Sequence, residues 1–335
     1  VISAVVYGYP MDTTTKAASA IFGDQLTALE ALFGIELTGS TLGERIVSLR
    51  AIAKADPKLT GSLLEFFNNP IHFASKFVSG DDGIFAAVVK TLFAAAVRGA
   101  IHEYGSMGAP KKQHWMPLAY LGPFGTMTSE SKNSRSVSIP GVSFADELVM
   151  GFETRDTSFI HEKVNGAGFY EDGAEFFFCM IESLYAQGRT RQDREIDHGL
   201  VALFFFVQSV RNPRYGQRFV HSKLSDILDA ILVNMDAVGP KMQARFLKAQ
   251  HMLPFTPYVP PFVDRFGSAR VYSLPVSPKM LFVLSTEELS EVSWRQTVKR
   301  YRDTVILQAQ RRGSFIFGVS KDSIMGTLDK LNREG

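Results

Sequence analysis

The chain has little cysteine, little tryptophan and almost no excess charge, and each scarcity removes a class of protein. Cys179 is the single cysteine in 335 residues. No intrachain disulfide can form, a cysteine-rich zinc site is excluded, and a reducing, cytosol-like compartment fits best. In its Phe-rich surroundings a buried, inert thiol is expected rather than a nucleophile. Two Trp against 27 Phe point to a packed interior and not to a carbohydrate-type aromatic platform. A formal charge of +2 names no partner, so any polyanion site must come from local clustering. No apolar run reaches the roughly 20 uninterrupted residues that span a bilayer; Leu200–Val207 is too short, and no membrane partner is expected. No basic segment leads into an apolar stretch and a small-residue cleavage site, so no secretory signal is read.

Catalytic signatures are missing as well. There is no GxxxxGK[ST] loop, HExxH pair, GxSxG elbow or GxGxxG after a strand. Seven histidines (72, 102, 114, 161, 198, 221 and 251) include no pair four residues apart. His161-Glu162 and Asp197-His198 are sequence neighbours, which do not face each other on a helix. No enzyme, cofactor or metal is expected.

What the chain does have is helical periodicity. Ala17, Ala20, Ile21, Leu26, Leu29, Leu32 and Phe33 recur at helical spacing. Thr41 with Glu44 three positions later reads as a capping box before Leu42, Ile46, Leu49 and Ile52. Asp56-Pro57 breaks that helix, another begins near Leu59, and Asn68-Asn69-Pro70 ends it. Ile84–Ile101 is apolar almost all round, a helix buried on several sides. From 105 to 141 the periodicity fails among four prolines, Lys111-Lys112 and a polar Thr126–Ser138 stretch. This is a long loop or hairpin, either a surface excursion or a contact for nucleic acid or a neighbouring subunit. Helices return from Asp172, through Leu200–Val207, and over Leu224–Met235. Gly239-Pro240 marks the boundary between a helical lobe 1–238 and a second helical lobe 239–335. Within the second, Lys241–Gln250 reads as a helix, followed by a proline-rich crossing from Pro254 to Pro261.

Positive charge is concentrated in two places. Between Tyr185 and Leu224 there are seven Lys/Arg against three acids, a local excess larger than that of the whole chain. Arg189, Arg191 and Arg194 lie at the end of a Phe-rich run, and Arg211, Arg214 and Arg218 surround a Pro-Gly turn. Guanidinium groups meet phosphate oxygens bidentately at any physiological pH, although cations also simply stabilise helix C-termini. The second cluster runs from Trp294 to Arg312, six basic residues against Asp303. Arg295, Lys299 and Arg302 fall on one helical face, as an RNA contact or as a solvated surface.

The order of these pieces resembles the nucleoproteins of non-segmented negative-strand RNA viruses, closest in pattern to the paramyxovirus branch. Asp56-Pro57-Lys58-Leu59-Thr60-Gly61, with Leu63-Leu64, Phe67, Pro70 and Asp81-Asp82 following, looks like that family's early helix start. Tyr185-x-Gln187-x-Arg189-x-Arg191 is similar to its tyrosine-x-glutamine-x-arginine segment. Arg265-Phe266-Gly267-Ser268-Ala269-Arg270-Val271-Tyr272-Ser273-Leu274 looks like its second-lobe signature, with five residues between Phe and Tyr where the family has four and without the ending after Leu274. The resemblance implies a mainly α fold of two helical lobes with an RNA-binding cleft between them, sequence-independent encapsidation of single-stranded genomic RNA, and polymerisation into a helical nucleocapsid that templates the polymerase. Arg270 and Tyr272 then join Arg189, Arg191, Arg194, Arg211, Arg214, Arg218, Arg295 and Lys299 as RNA contacts; Tyr272 either stacks on a base or donates to a phosphate, or else only packs at the lobe interface. The implied partners are RNA, further copies of the chain through terminal arms and lobe contacts, and a viral phosphoprotein and polymerase. The implied locations are the virion and the host cytoplasm or nucleus. The opening Val1 in place of Met suggests that such arms are partly trimmed. The alternative is a helical coat or scaffold protein whose basic patches meet neighbouring subunits and not RNA.

Overall fold

The computed structural model describes residues 16–68, 83–102, 112–114, 117–131, 134–144, 149–153, 160–162, 171–191, 195–211, 223–255, 262–311, 315–318 and 321–334. The described chain is mostly helical with some sheet. It forms two compact units, one of residues 1–113 and 162–243, the other of 114–161 and 244–335. This division differs from the expected one in two respects. The boundary falls at 243/244 instead of 238/239, and much of the irregular 105–141 segment goes with the second unit.

The first unit is a helical bundle around α4 (Gly83–Ile101). Packed against it are α1 (Ala17–Phe33), α2 (Leu42–Ala55), α6 (Asp172–Arg191) and α7 (Glu195–Arg211); α8 (Leu224–Val238) lies on α1, α2 and α7, and α3 (Pro57–Phe66) follows α2. Small residues on α4, such as Ala87, Ala94, Ala95, Ala96 and Ala100, are fully buried and let its neighbours approach on several sides. By length and composition this helix could cross a membrane, although Lys90 and Arg98 interrupt its apolar run, and 89% of the apolar window is buried inside the protein. A core helix surrounded by protein passes the same test as a membrane span.

Helix starts follow the expected chemistry. Thr41 Oγ1 accepts from the Glu44 N–H at 3.1 Å and Glu44 Oε2 accepts from the Thr41 N–H at 3.3 Å, the reciprocal box. Asp56 Oδ1 accepts from the Lys58 and Leu59 N–H groups at 2.9 and 3.1 Å, with Pro57 at the first helical position. There Pro costs nothing, because its missing N–H would have had no intrahelical partner. The first helix has no side-chain cap of its own. Asp236 on α8 supplies one, its Oδ1 accepting from the Ala18 N–H at 2.7 Å and its Oδ2 from the Ser19 hydroxyl at 2.5 Å.

The second unit is α+β, and this corrects the expectation of a helical second lobe. One antiparallel sheet has the order β6-β9-β8-β7, from β6 (Gln243–Lys248), β7 (Phe262–Phe266), β8 (Ala269–Ser277) and β9 (Met280–Ser285). A second joins β2 (Thr126–Ser131), β3 (Ser134–Ser143), β4 (Val149–Glu153) and β10 (Phe315–Phe317), with β3 in the middle. Short elements complete the described chain: α5 (Leu118–Leu121), a 3-10 turn over Gly122–Phe124, and the pair β1 (Lys112–His114) and β5 (Ile160–Glu162). The segment read as a loop or hairpin is thus a hairpin in its β2–β3 part. The Phe266-Gly267-Ser268-Ala269 stretch is a two-residue β-turn, with Phe266 opposite Ala269 and Gly267 at φ +62°. That left-handed conformation suits glycine because it has no Cβ to clash.

On one face of the β6–β9 sheet, α9 (Glu291–Arg311) packs Trp294, Tyr301 and Val305 against Ala269, Val271, Leu281 and Val283. Tyr301 is buried and its hydroxyl donates to the Pro254 carbonyl at 2.7 Å. The far end of α9 joins β10 and α10 (Lys321–Glu334) through Ile306, Ala309, Ile316, Ile324 and Leu328.

Candidate nucleic-acid interface

The Tyr185–Arg191 segment forms the C-terminal turns of α6. Ala174, Phe177, Phe178, Ile181, Leu184 and Tyr185 are buried at helical spacing. Tyr185, the first position of the motif, is a core residue, stacked on Phe204 at 4.0 Å between ring centroids, and burial pushes its hydroxyl well above the usual tyrosine range. At Gly188 the helices α6 and α7 cross so closely that a Cβ would stand 2.8 Å from the Asp197 carbonyl oxygen and 2.8 Å from Leu200 Cβ. With that face committed to the core, the remaining turn exposes Arg191, while Arg189 is half-buried with its Nε enclosed. Arg191 makes no ion pair among the described residues.

Arg211 departs from its expected role. It is 3% exposed, pairs with Glu182 and lies 4.4 Å over the Phe178 ring. A guanidinium held this way ties α7 to α6 and is not offered to a ligand. Glu175 shares this environment, and burial pushes its carboxyl up to about 7; Arg211 opposes the rise and the Glu182 charge adds to it. Cys179 is exposed by surface area, contrary to the expected burial. Desolvation of its sulfur still leads the causes that push the thiol up to about 12, followed by the carboxyls of Glu182 and Glu175. The exposed area settles its access and the two carboxyls its direction, so it is reachable but protonated near neutral pH. Arg194, Arg214 and Arg218 lie outside the described residues, as do Pro70, Asp81-Asp82 and the 256–261 part of the proline-rich crossing.

In the second unit Arg270 and Tyr272 stand two residues apart on β8 and therefore on the same face. Both are half-buried, while Ala269 and Val271 on the opposite face are buried under α9. The structure therefore separates them from Arg295 and Lys299, which belong to α9 on the other side of the sheet. The Arg270 backbone N–H donates to Thr286 Oγ1 at 3.0 Å, which fixes the strand.

Arg295 and Lys299 are exposed and line a groove of about 1060 Å³ walled by β6, the turn after it, α9 and α10. Neither makes an ion pair or a hydrogen bond among the described residues. Arg302, one further turn along the same helix face, lines the groove and donates through Nη2 to the Ser323 carbonyl and hydroxyl at 3.2 and 3.3 Å. Burial lowers its guanidinium below the usual arginine range, Asp303 opposing the shift, and it stays charged at neutral pH. Lys248 and Lys330 complete the cations of the lining. Both were missed in the sequence. Lys248 falls in a segment whose helix-forming composition hides its strand alternation, and Lys330 belongs to a terminal helix far from it in sequence.

No family model, curated protein or solved structure matches the chain.

Proposed function

We propose that this protein is a nucleoprotein that coats single-stranded RNA without reading its sequence and assembles with further copies of itself. Each unit by itself offers exposed cations, Arg191 in the first and Arg295 and Lys299 in the second, and the resemblance implies that both lobes contact the strand. The observation that carries the reading is the groove wall on which Arg295 and Lys299 stand exposed, with no ion pair among the described residues. Unpaired cations beside an apolar surface suit a phosphate backbone whose bases are not discriminated. Arg191 is comparable, an exposed guanidinium without an ion pair among the described residues at the C-terminal end of α6.

The test is the salt dependence of binding to labelled, unstructured oligouridine. Counterion release gives a log–log slope of about −0.7 per phosphate neutralised on a single strand. The triple variant Arg191→Ala, Arg295→Ala, Lys299→Ala should bind more weakly and flatten the slope by roughly 2 if each cation holds one phosphate. Affinity and slope equal to the parent protein, or a parent that binds no oligouridine after ribonuclease treatment, would refute the reading.

A further inference from the structure

We infer that the groove of the second unit is where the strand lies in that unit, and that Lys248, Arg302 and Lys330 hold it together with Arg295 and Lys299. The inference rests on the RNA-binding reading above and adds to it a location and three side chains. Five Lys/Arg line the groove against the acids Glu291, Asp303 and Asp322. Glu291 is engaged by Arg245 at 2.5 Å and also felt by Arg295, as Asp303 is by Arg302, so the lining carries a net excess of two cations, five less three. Asp322 lies in the first turn of α10, where a negative charge is favourable to the helix itself.

Three features favour an extended polynucleotide over a compact anion. The groove, at about 1060 Å³, is just larger than the ~300–1,000 Å³ typical of small-molecule pockets. Its α9 cations recur at i, i+4 and i+7, a rise of about 6 Å between the first two, which is the scale of the step between successive phosphates of a stretched strand. Between them the wall is apolar, with Leu247 and Val298 half-buried and Leu253 buried, a surface that accepts any base face. Arg302 is tethered to Ser323, so less freedom is lost when it meets a phosphate. An acidic protein segment would also meet the cations, and it is the competing outcome below.

The groove can be blocked without disturbing the core. Gly326 lines it from α10, and a Cβ built there meets nothing within 4 Å. Replacing glycine in a helix interior also favours the helix, so Gly326→Phe should fold. In the full chain, Gly326→Phe should weaken oligouridine binding at least tenfold, while Met325→Ala, one position away and outside the groove lining, should leave it unchanged. Lys248→Ala and Lys330→Ala should each flatten the salt slope by about 0.7. A parent chain that binds oligouridine alongside a Gly326→Phe variant with equal affinity, and lysine variants with unchanged slopes, would overturn the location while leaving the RNA reading intact. A parent chain that binds no oligouridine would overturn both. Binding of oligoglutamate that Gly326→Phe abolishes, with oligouridine binding untouched, would assign the groove to an acidic protein segment and overturn the inference.

Discussion

Glu175→Gln should remove most of a pH dependence of stability that the parent protein shows between about pH 5 and 8. Glu175 is 4% exposed and its Oε2 has no hydrogen-bond partner among the described residues. The guanidinium that could neutralise it, Arg211, is paired with Glu182. Burial therefore dominates and lifts the carboxyl from 4.5 to about 7. Because the folded value lies above the unfolded one, the folded protein keeps a proton that the unfolded chain releases. The associated stability is fully present below about pH 4.5 and is lost as pH rises through 7. At ~1.4 kcal/mol per pH unit of separation, the loss is on the order of 3 kcal/mol at most. Glutamine has the shape of the protonated acid and does not titrate. Urea unfolding followed by far-ultraviolet circular dichroism at pH 5 and pH 8 should show the parent losing about 2–3 kcal/mol more than the variant across that interval. Parallel pH profiles for the two proteins would mean that Glu175 is ionised in the fold and would refute the reasoning.

Two further substitutions separate structural from ligand-facing roles. Asp56→Ala removes the cap of α3 and should lower stability by about 1 kcal/mol, read as a reduced thermal midpoint, with oligouridine affinity unchanged below the transition. Arg211→Ala leaves Glu182 without its buried partner and should cost roughly 3–5 kcal/mol in urea unfolding. If instead Arg211→Ala retained full stability and lost RNA affinity, its assignment as a tie between α6 and α7 would be wrong.

The helices of the first unit were legible because their buried side chains keep to the helical repeat and their caps use short-range chemistry. Thr41, Glu44, Asp56 and Pro57 act on backbone groups within four residues of themselves, so sequence alone contains the interaction. The second unit was less legible because its strands are joined by pairing between distant segments. Gln243–Lys248 consists largely of good helix formers, yet it forms an edge strand beside β9, where pairing outweighs intrinsic preference. Its alternation of exposed Gln243 and Arg245 with half-buried Ala244 and Phe246 was present in the sequence and was overridden by propensity. The cap on α1 was not legible at all, because Asp236 lies 218 residues from the amide it serves. Among the site residues, Arg295, Lys299 and Arg302 were placed on one face correctly because a single helix carries them. No local pattern joins them to Lys248 and Lys330.

The segments that carry the family resemblance have physical roles that can be assigned one by one. Asp56 and Pro57 start a helix, Tyr185 fills a core against Phe204, Gly188 lets α7 approach α6, and Gly267 closes a hairpin. Each is required by folding whether or not a strand of RNA is ever bound. Likeness at these positions therefore speaks to local structure, while the functional reading depends on cations that folding does not need. Arg191, Arg295 and Lys299 are such residues, exposed at the ends and faces of helices whose buried sides already account for their stability. Arg211 is the instructive contrast, since it sits in the same basic stretch and is consumed by the fold. The two kinds of residue can thus be told apart by substitution. Removing the first kind should change stability and leave the salt slope alone, and removing the second should change the salt slope and leave stability alone. A chain in which both sets moved stability together, with no effect on the slope, would be a scaffold whose basic faces serve its own assembly.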